Sequence, residues 1–279
     1  MGAFDFLMGM PVDPEVEAAF AEAPIETNDL GFDPWGFHPE SAKRYYSVGK
    51  QLYRYFRPTV HGVENIPAGR VLLVPNHSGQ LPYDGMVLAV ACLMEASPAR
   101  VVRPMAERWV PTLPWVNKAF SRSGVVLGDP INCRNLLEAD NAILVFPEGA
   151  RGLGTTWPNR YKLETFGRGF MRLALQTNTP IVPVGVIGAE ESISSVYNIE
   201  WLAKLIGTPY VPVPPLLPLL GPLAYMPLPT RYHLHFGEPM LFDGPFDDED
   251  EIVEAKVLKV KAAVQKLLND GLQQRESIF

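Results

Sequence analysis

The chain has 279 residues, 47% of them hydrophobic and 20% charged, with a formal net charge of −7; that suits one large α/β domain or two small ones and provides a sizeable core. The charge is uneven, because residues 1–39 carry eight acids (Asp5, Asp13, Glu15, Glu17, Glu22, Glu26, Asp29, Asp33) and no Lys or Arg, which leaves the rest of the chain close to neutral. A near-neutral body without a basic stripe excludes nucleic-acid binding, and the two cysteines, Cys92 and Cys133, form no disulfide framework, fit a reducing cytoplasm and belong to no Cys/His cluster that offers a metal site.

Taken in chain order, Met1–Phe6 lacks the basic start of a signal peptide, and Phe6 stands where a myristoylation signal wants Ser or Thr. Residues 1–39 read as an acidic, extended arm with one short helix near Asp13 to Ala23, capped at Asp13-Pro14. A loop with Gly31, Pro34, Gly36 and Pro39 follows. Residues 40–58 form an amphipathic helix. Its basic positions are Lys43, Arg44, Lys50, Arg54 and Arg57, and Tyr45, Val48, Leu52 and Phe56 recur at helical spacing, with Tyr46 and Tyr53 beside them. Two readings stay open there: an interfacial helix lying on an anionic membrane, or a surface helix packing its stripe on the core.

From Pro58 strands and helices alternate. Strands are expected at Val71–Val74, Val101–Met105, Gly124–Leu127, Ala142–Phe146, Ile181–Ile187 and Tyr232–Phe236, with helices near 84–96, 109–121, 131–139 and 168–178. That order predicts an α/β domain over residues 59–279, with a mostly parallel central sheet flanked by helices. The uncharged run 205–230 holds eight prolines from Pro209 to Pro229, so it cannot continue a helix and is expected to be irregular, not membrane-spanning. A last helix over 247–272 has acids in its first turns, and Val253, Val257, Val260, Val264 and Leu267 form its buried stripe.

Two strand ends carry chemistry. Val71–Val74 runs into the turn formers Pro75, Asn76, Ser78 and Gly79 around His77, and Asp84 follows at the head of the next helix. A carboxylate holding one ring nitrogen makes the other a general base, and the carboxyl edge of an open sheet is where ligands bind; a structural loop histidine explains the same residues. Ala142–Phe146 runs into Pro147-Glu148-Gly149-Ala150-Arg151-Gly152. A glycine there admits a close ligand and an arginine suits a phosphate; an internal Glu148–Arg151 ion pair is the alternative. Gly-x-Ser-x-Gly, Walker and Gly-x-Gly-x-x-Gly patterns are missing, which argues against serine hydrolases and nucleotide-binding loops.

Asn76-His77 with Asp84, then Phe146-Pro147-Glu148-Gly149-x-Arg151, then Ile181-Val182-Pro183-Val184 resembles, in that order, the glycerolipid acyltransferase family of lysophosphatidic acid acyltransferases and their relatives. The passage Pro227-Leu228-Pro229-Thr230-Arg231 with His235-Phe236-Gly237-Glu238-Pro239 is similar to the branch near the mono- and diacylglycerol acyltransferases. The likeness spans about residues 60–242. Two departures stand out. Six residues separate His77 from Asp84 where the family has four, and Gly124-Val125-Val126-Leu127-Gly128-Asp129-Pro130 lacks the arginine of the family's phosphate-binding passage, with Arg134 four residues further on.

The resemblance implies the family's glycerol-3-phosphate acyltransferase-like αβ fold and a 1-acylglycerol-3-phosphate acyltransferase-like activity. That activity is transfer of a fatty acyl group from acyl-CoA or acyl carrier protein to a hydroxyl of a glycerolipid or lysophospholipid, without a cofactor or metal. It implies His77 as general base oriented by Asp84, and Glu148, Gly149, Arg151, Arg134 and Asn76 at the substrate, with Arg168 a further phosphate ligand. Backbone N–H groups of Gly149–Gly152 are expected to hold the oxyanion. The expected location is cytoplasmic, peripheral on the inner face of a membrane, with Leu205–Thr230 as an apolar flap beside the acyl chain. An acyl-thioester or lipid hydrolase and a non-catalytic lipid-binding protein are the alternatives.

Overall fold

The computed structural model describes residues 9–23, 25–108, 110, 116–206 and 210–279. Helix α1 (Pro14–Glu22) starts on an Asp13 cap, with Pro14 at its first position, and α2 (Pro39–Phe56) lies against it. From residue 9 on, the described part of the acidic segment is packed, with Val16 and Phe20 buried in the core. Each such side chain contributes about 1.5–3 kcal/mol of burial. The basic positions of α2 are already met within the chain. Lys43 pairs with Glu17 and Glu40, Lys50 with Asp13 and Glu15, and Arg54 with Glu15.

Beyond α2 come β1 (Thr59–His61), β2 (Val71–Pro75), α3 (Tyr83–Glu95), β3 (Val102–Ala106), α4 (Val116–Ser123), β4 (Val126–Leu127), α5 (Pro130–Glu138) and β5 (Ala142–Leu144). The chain then forms α6 (Ala150–Leu153), α7 (Gly169–Thr177), β6 (Ile181–Ile187), α8 (Ala189–Ser192), β7 (Tyr197–Asn198), α9 (Glu200–Ile206), β8 (Pro212–Val213), α10 (Leu217–Leu220), β9 (His233–Phe236) and α11 (Asp250–Gln274). Seven strands make one sheet in the order β1-β9-β6-β2-β5-β3-β4, and β6 with β9 is its one antiparallel pair. The mostly parallel sheet expected from the alternation is therefore present. β7 and β8 form a separate two-stranded piece.

Side chains alternate across the sheet, as a period of two requires. Val71, Leu73, Ala142, Leu144, Val182, Val184 and Val186 face α1, α2 and α3. Leu72, Val74, Ile143, Ile181 and Ile187 face α5, α7 and α11. Both faces are covered, so the central strands are apolar on both sides. Gly185 lies against α11, where a Cβ would meet Leu267 Cβ at 3.0 Å.

Several element ends differ from expectation for local reasons. The strand expected from Gly124 begins at Val126, because Gly124 has φ +102° and its carbonyl accepts from Arg103 Nε at 3.0 Å. The last helix begins at Asp250, because Arg172 donates to the carbonyls of Phe246 (2.6 Å) and Asp248 (3.1 Å) and holds that stretch as a loop. The helix expected over 109–121 is seen as α4, while residues 109 and 111–115 lie outside the described residues. In the proline-rich run the regular pieces among the described residues are the end of α9, β8, the single turn α10 and a 3-10 turn at Gly221–Tyr225, and residues 207–209 are outside the description. No helix among the described residues is long and apolar enough to cross a membrane.

The N-terminal segment is locked on by a buried ion pair. Arg103 on β3 is 1% exposed and donates to Asp33 Oδ2 at 2.5 Å, with its guanidinium over the rings of Trp35 and Phe37. Asp33 in turn accepts from the amides of Trp35 and Phe37. Removing one partner strands a buried charge, so Asp33→Ala is expected to cost about 3–5 kcal/mol, read as a lower midpoint in chemical denaturation; a loss below about 1 kcal/mol would show that the pair is solvated.

Candidate active site

His77 leaves the carboxyl end of β2, and Asp84 sits in the first turn of α3. The longer connection still closes: His77 Nδ1 lies 2.7 Å from Asp84 Oδ2. The surplus is taken up by residues 79–82. Gly79 has φ +75°, and a Cβ there would fall 2.5 Å from the Ala189 carbonyl, so the turn can press on α8 only as glycine. Gln80 Nε2 donates to the Thr155 carbonyl (2.9 Å), and Tyr210 Oη donates to the Gln80 carbonyl (2.7 Å).

Asp84 is fully buried. Its Oδ2 also accepts from Ser78 N (2.9 Å), and its Oδ1 from Gly85 N (2.7 Å). Ser78 N and Gly85 N both donate to Asp84, and the tautomer that completes this set has His77 Nδ1–H donating to Oδ2 and leaves Nε2 as an acceptor. The His77 ring lies on Phe146 at a centroid distance of 3.9 Å, and its side chain is 10% exposed. The imidazole is thus fixed by a carboxylate at one edge and an aromatic face below.

The second turn locks the first. Glu148 is 3% exposed, and its two oxygens accept from His77 N (2.9 Å) and Glu164 N (2.7 Å). Burial pushes its carboxyl above the usual range, and the two amides act against that. Glu148 therefore ties backbone to backbone, and neither the expected head-group contact nor the alternative ion pair with Arg151 describes its place. Arg151 bonds to the carbonyls of Glu148 (3.5 Å) and Thr165 (3.0 Å) and stays exposed. Gly149 takes φ +59°, where a Cβ would lie 2.7 Å from Glu107 Oε1. Its role is conformational.

The amides of this turn are largely spoken for: Gly149 N bonds to Phe146 O, Ala150 N to Glu107 Oε1 at 2.6 Å and Gly152 N to Gly149 O. The expected set of oxyanion donors is thereby reduced. Asn76 is also redirected. Its side chain donates to the Val186 carbonyl (3.0 Å) and accepts from Val186 N (2.8 Å), extending the β2–β6 ladder. It is buried and both ends are used, so it anchors β6 and does not face a substrate. Arg134 on α5 pairs with Glu138 at 3.8 Å, and Arg168 with Asp250 at 3.0 Å. No hydrogen bond or ion pair joins either to His77, Asp84, Glu148 or Arg151 among the described residues.

Three residues take places that the sequence did not give them. Phe146 supplies the platform for the imidazole; it stood in the quoted motif, but its ring position depends on two strand ends meeting. Gly152 is a spacer, since a Cβ there would lie 2.8 Å from both His77 Cβ and His77 O. Glu190 on α8 accepts from Tyr161 N at 2.9 Å, and burial pushes its carboxyl up to about 8. Nothing local to Ala189-Glu190-Glu191 signals that burial.

Comparison with known proteins adds an independent line. A family model described as Acyltransferase matches residues 57–187. An uncharacterized protein of Mycobacterium tuberculosis is 37% identical over 263 residues, covering 91% of this chain and 73% of that protein. A protein of Gallus gallus named "DGAT1/2-independent enzyme synthesizing storage lipids" is 26% identical over 216 residues, 75% of this chain and 58% of its own length. The crystal structure of the 1-acyl-sn-glycerophosphate (LPA) acyltransferase PlsC from Thermotoga maritima superposes with a TM-score of 0.57 at 18% identity, over 98% of this chain and 95% of that one. That last likeness is one of fold.

The contact between Gly152 and His77 yields a direct test. Gly152→Ala should displace the imidazole, abolish the downfield Nδ1 proton resonance of the His77–Asp84 bond and lower turnover about 100-fold. A retained resonance with normal turnover would show that the two turns are not in register-critical contact.

Proposed function

The chain belongs to the glycerolipid acyltransferase family, and on that premise we propose that it moves a fatty acyl group from an acyl thioester, acyl-CoA or acyl carrier protein, to a hydroxyl of a glycerolipid or lysophospholipid. The observation that carries the mechanism is the 2.7 Å contact between His77 Nδ1 and Asp84 Oδ2. With Nδ1–H held, Nε2 accepts the proton of the attacking hydroxyl as its oxygen bonds to the thioester carbonyl carbon. Asp84 stabilises the imidazolium so formed. When the tetrahedral adduct collapses, the carbon–sulfur bond breaks and the imidazolium returns its proton to the departing thiolate. The acceptor is itself the nucleophile, so no acyl-enzyme is required.

Acceptor and donor tails are both lipid, which implies a peripheral encounter with a membrane surface. The support for where this happens comes from the segment after β7. Trp201, Leu205, Leu219, Leu223 and Met226 are each more than 60% exposed, and the run 205–230 holds no charged residue. An uncovered apolar patch of that kind marks an interaction site. It adjoins the His77 turn through Tyr210 and Gln80, and α2 through Tyr55, whose hydroxyl donates to Pro227 O at 2.7 Å. The flap is favoured over α2 for the lipid contact, since Lys43, Lys50 and Arg54 of α2 already pair with acids of the N-terminal segment.

The activity is tested by an acceptor panel. Lysophosphatidic acid, other lysophospholipids, monoacylglycerol and diacylglycerol are each offered with labelled acyl-CoA or acyl carrier protein, and the product is read by mass spectrometry. His77→Ala should lower transfer by at least about 100-fold, and Asp84→Asn by about 100- to 10,000-fold. Free fatty acid in equal yield with and without acceptor would instead identify a hydrolase.

The surface is tested by vesicle flotation. Leu219→Glu with Leu223→Glu should abolish binding, while Lys43→Gln with Arg54→Gln should leave it nearly unchanged. The reverse pattern would return the membrane contact to α2.

A further inference from the structure

Three of the imidazoles that the steps above leave unused lie together. His61 ends β1, and His233 and His235 lie two apart on β9, with His61 the registered neighbour of His235. Residues two apart on a strand share a face, and registered residues of adjacent parallel strands do too, so all three project toward α11. The His61 and His235 rings lie 4.7 Å apart, and the His233 and His235 rings 6.5 Å. One ring nitrogen of each lies within 4.8 Å of the others.

Two facts make this more than a chance cluster. Nε2 of His233 and Nε2 of His235 are both closed off from solvent with no hydrogen-bond partner, and His235 is 8% exposed. Buried polar atoms are almost always paired, so two orphans at one point call for an explanation. The cover over them is also specific. A Cβ at Gly271 of α11 would fall 2.6 Å from His235 Nε2, so the helix can close over the ring only at a glycine.

We propose that His61, His233 and His235 form a zinc-binding site, with three imidazole ligands and a fourth position open to water beside the exposed His61. Imidazole nitrogens suit zinc, whereas magnesium and calcium want oxygen ligands. Zinc–nitrogen bonds of about 2.0–2.1 Å place tetrahedral donors about 3.3 Å apart. The trio must therefore draw in by about 1.5 Å at most, which rotation of the exposed His61 ring and small shifts of the other two supply. Arg231 and Arg275 flank His233 and Asp270 flanks His235; Arg275 is already paired with Glu191 at 2.9 Å. A bound ion would fasten the edge strand β1 to β9 beneath α11. It shares no residue with the acyl-transfer site, so it stands or falls separately.

The test is calorimetric titration of tag-free, chelator-treated full chain with zinc chloride, with a melting curve alongside. One zinc per chain should bind with Kd of about 10 μM or tighter, and saturation should raise Tm by about 5 °C. His61→Ala, at an exposed ring, should keep the metal-free Tm and weaken affinity at least about tenfold; His235→Asn should do the same to affinity. Cobalt in place of zinc should give the visible bands of a tetrahedral site. Affinity weaker than about 10 μM in the wild-type chain, or affinity unchanged in both variants, overturns the assignment.

Discussion

Everything at the site depends on one carboxylate kept from water. Asp84 is fully buried and its two oxygens collect the His77 ring and the Ser78 and Gly85 amides. A polar group so placed is tolerable only while those partners stay aimed at it. The loop 76–83 therefore has to keep its shape, and the clamps around it follow: Gly79 against α8, Gln80 to the Thr155 carbonyl, and Tyr210 to Gln80. The same requirement accounts for the imidazole, whose Nδ1 lies against the carboxylate and whose ring the carboxylate orients.

A second buried carboxylate, Glu148, performs the corresponding task for the neighbouring turn. It exchanges no charge with a cation. Instead it gathers the amides of His77 and Glu164, so it ties the ends of β2 and β5 to the loop before α7. Phe146 completes the arrangement by lying against the imidazole. The site is thus preorganised by backbone-to-carboxylate bonds, with side chains of the first turn resting on side chains of the second.

The fold was largely legible because β2, β5 and β6 are continuous apolar runs separated by helix-length stretches. Asp13-Pro14 and Asp129-Pro130 cap α1 and α5 as local chemistry dictates. His77 and Asp84 were legible as types in a context, while their meeting was not, since loop closure depends on Ala189, Thr155 and Tyr210 from elsewhere in the chain. Asn76 and Glu148 depart from expectation for a shared reason. A polar residue beside a catalytic histidine looks like a ligand for substrate until its partners are known, and Asn76 and Glu148 spend theirs on backbone. The basic face of α2 was read without its acidic neighbour, and the three histidines are split between positions 61 and 233–235, which no local spacing rule detects.

Asn76 also bears on how the molecule comes into being. Its amide bonds join residues 110 positions apart, and the turn that follows it rests on Ala189. Contacts of such sequence separation form late, after their loop entropy has been overcome. During synthesis the histidine turn therefore stays unformed until β6 has left the ribosome and docked beside β2. A chain without β6 presents this turn without its anchor, so the His77–Asp84 pair is assembled only together with the sheet.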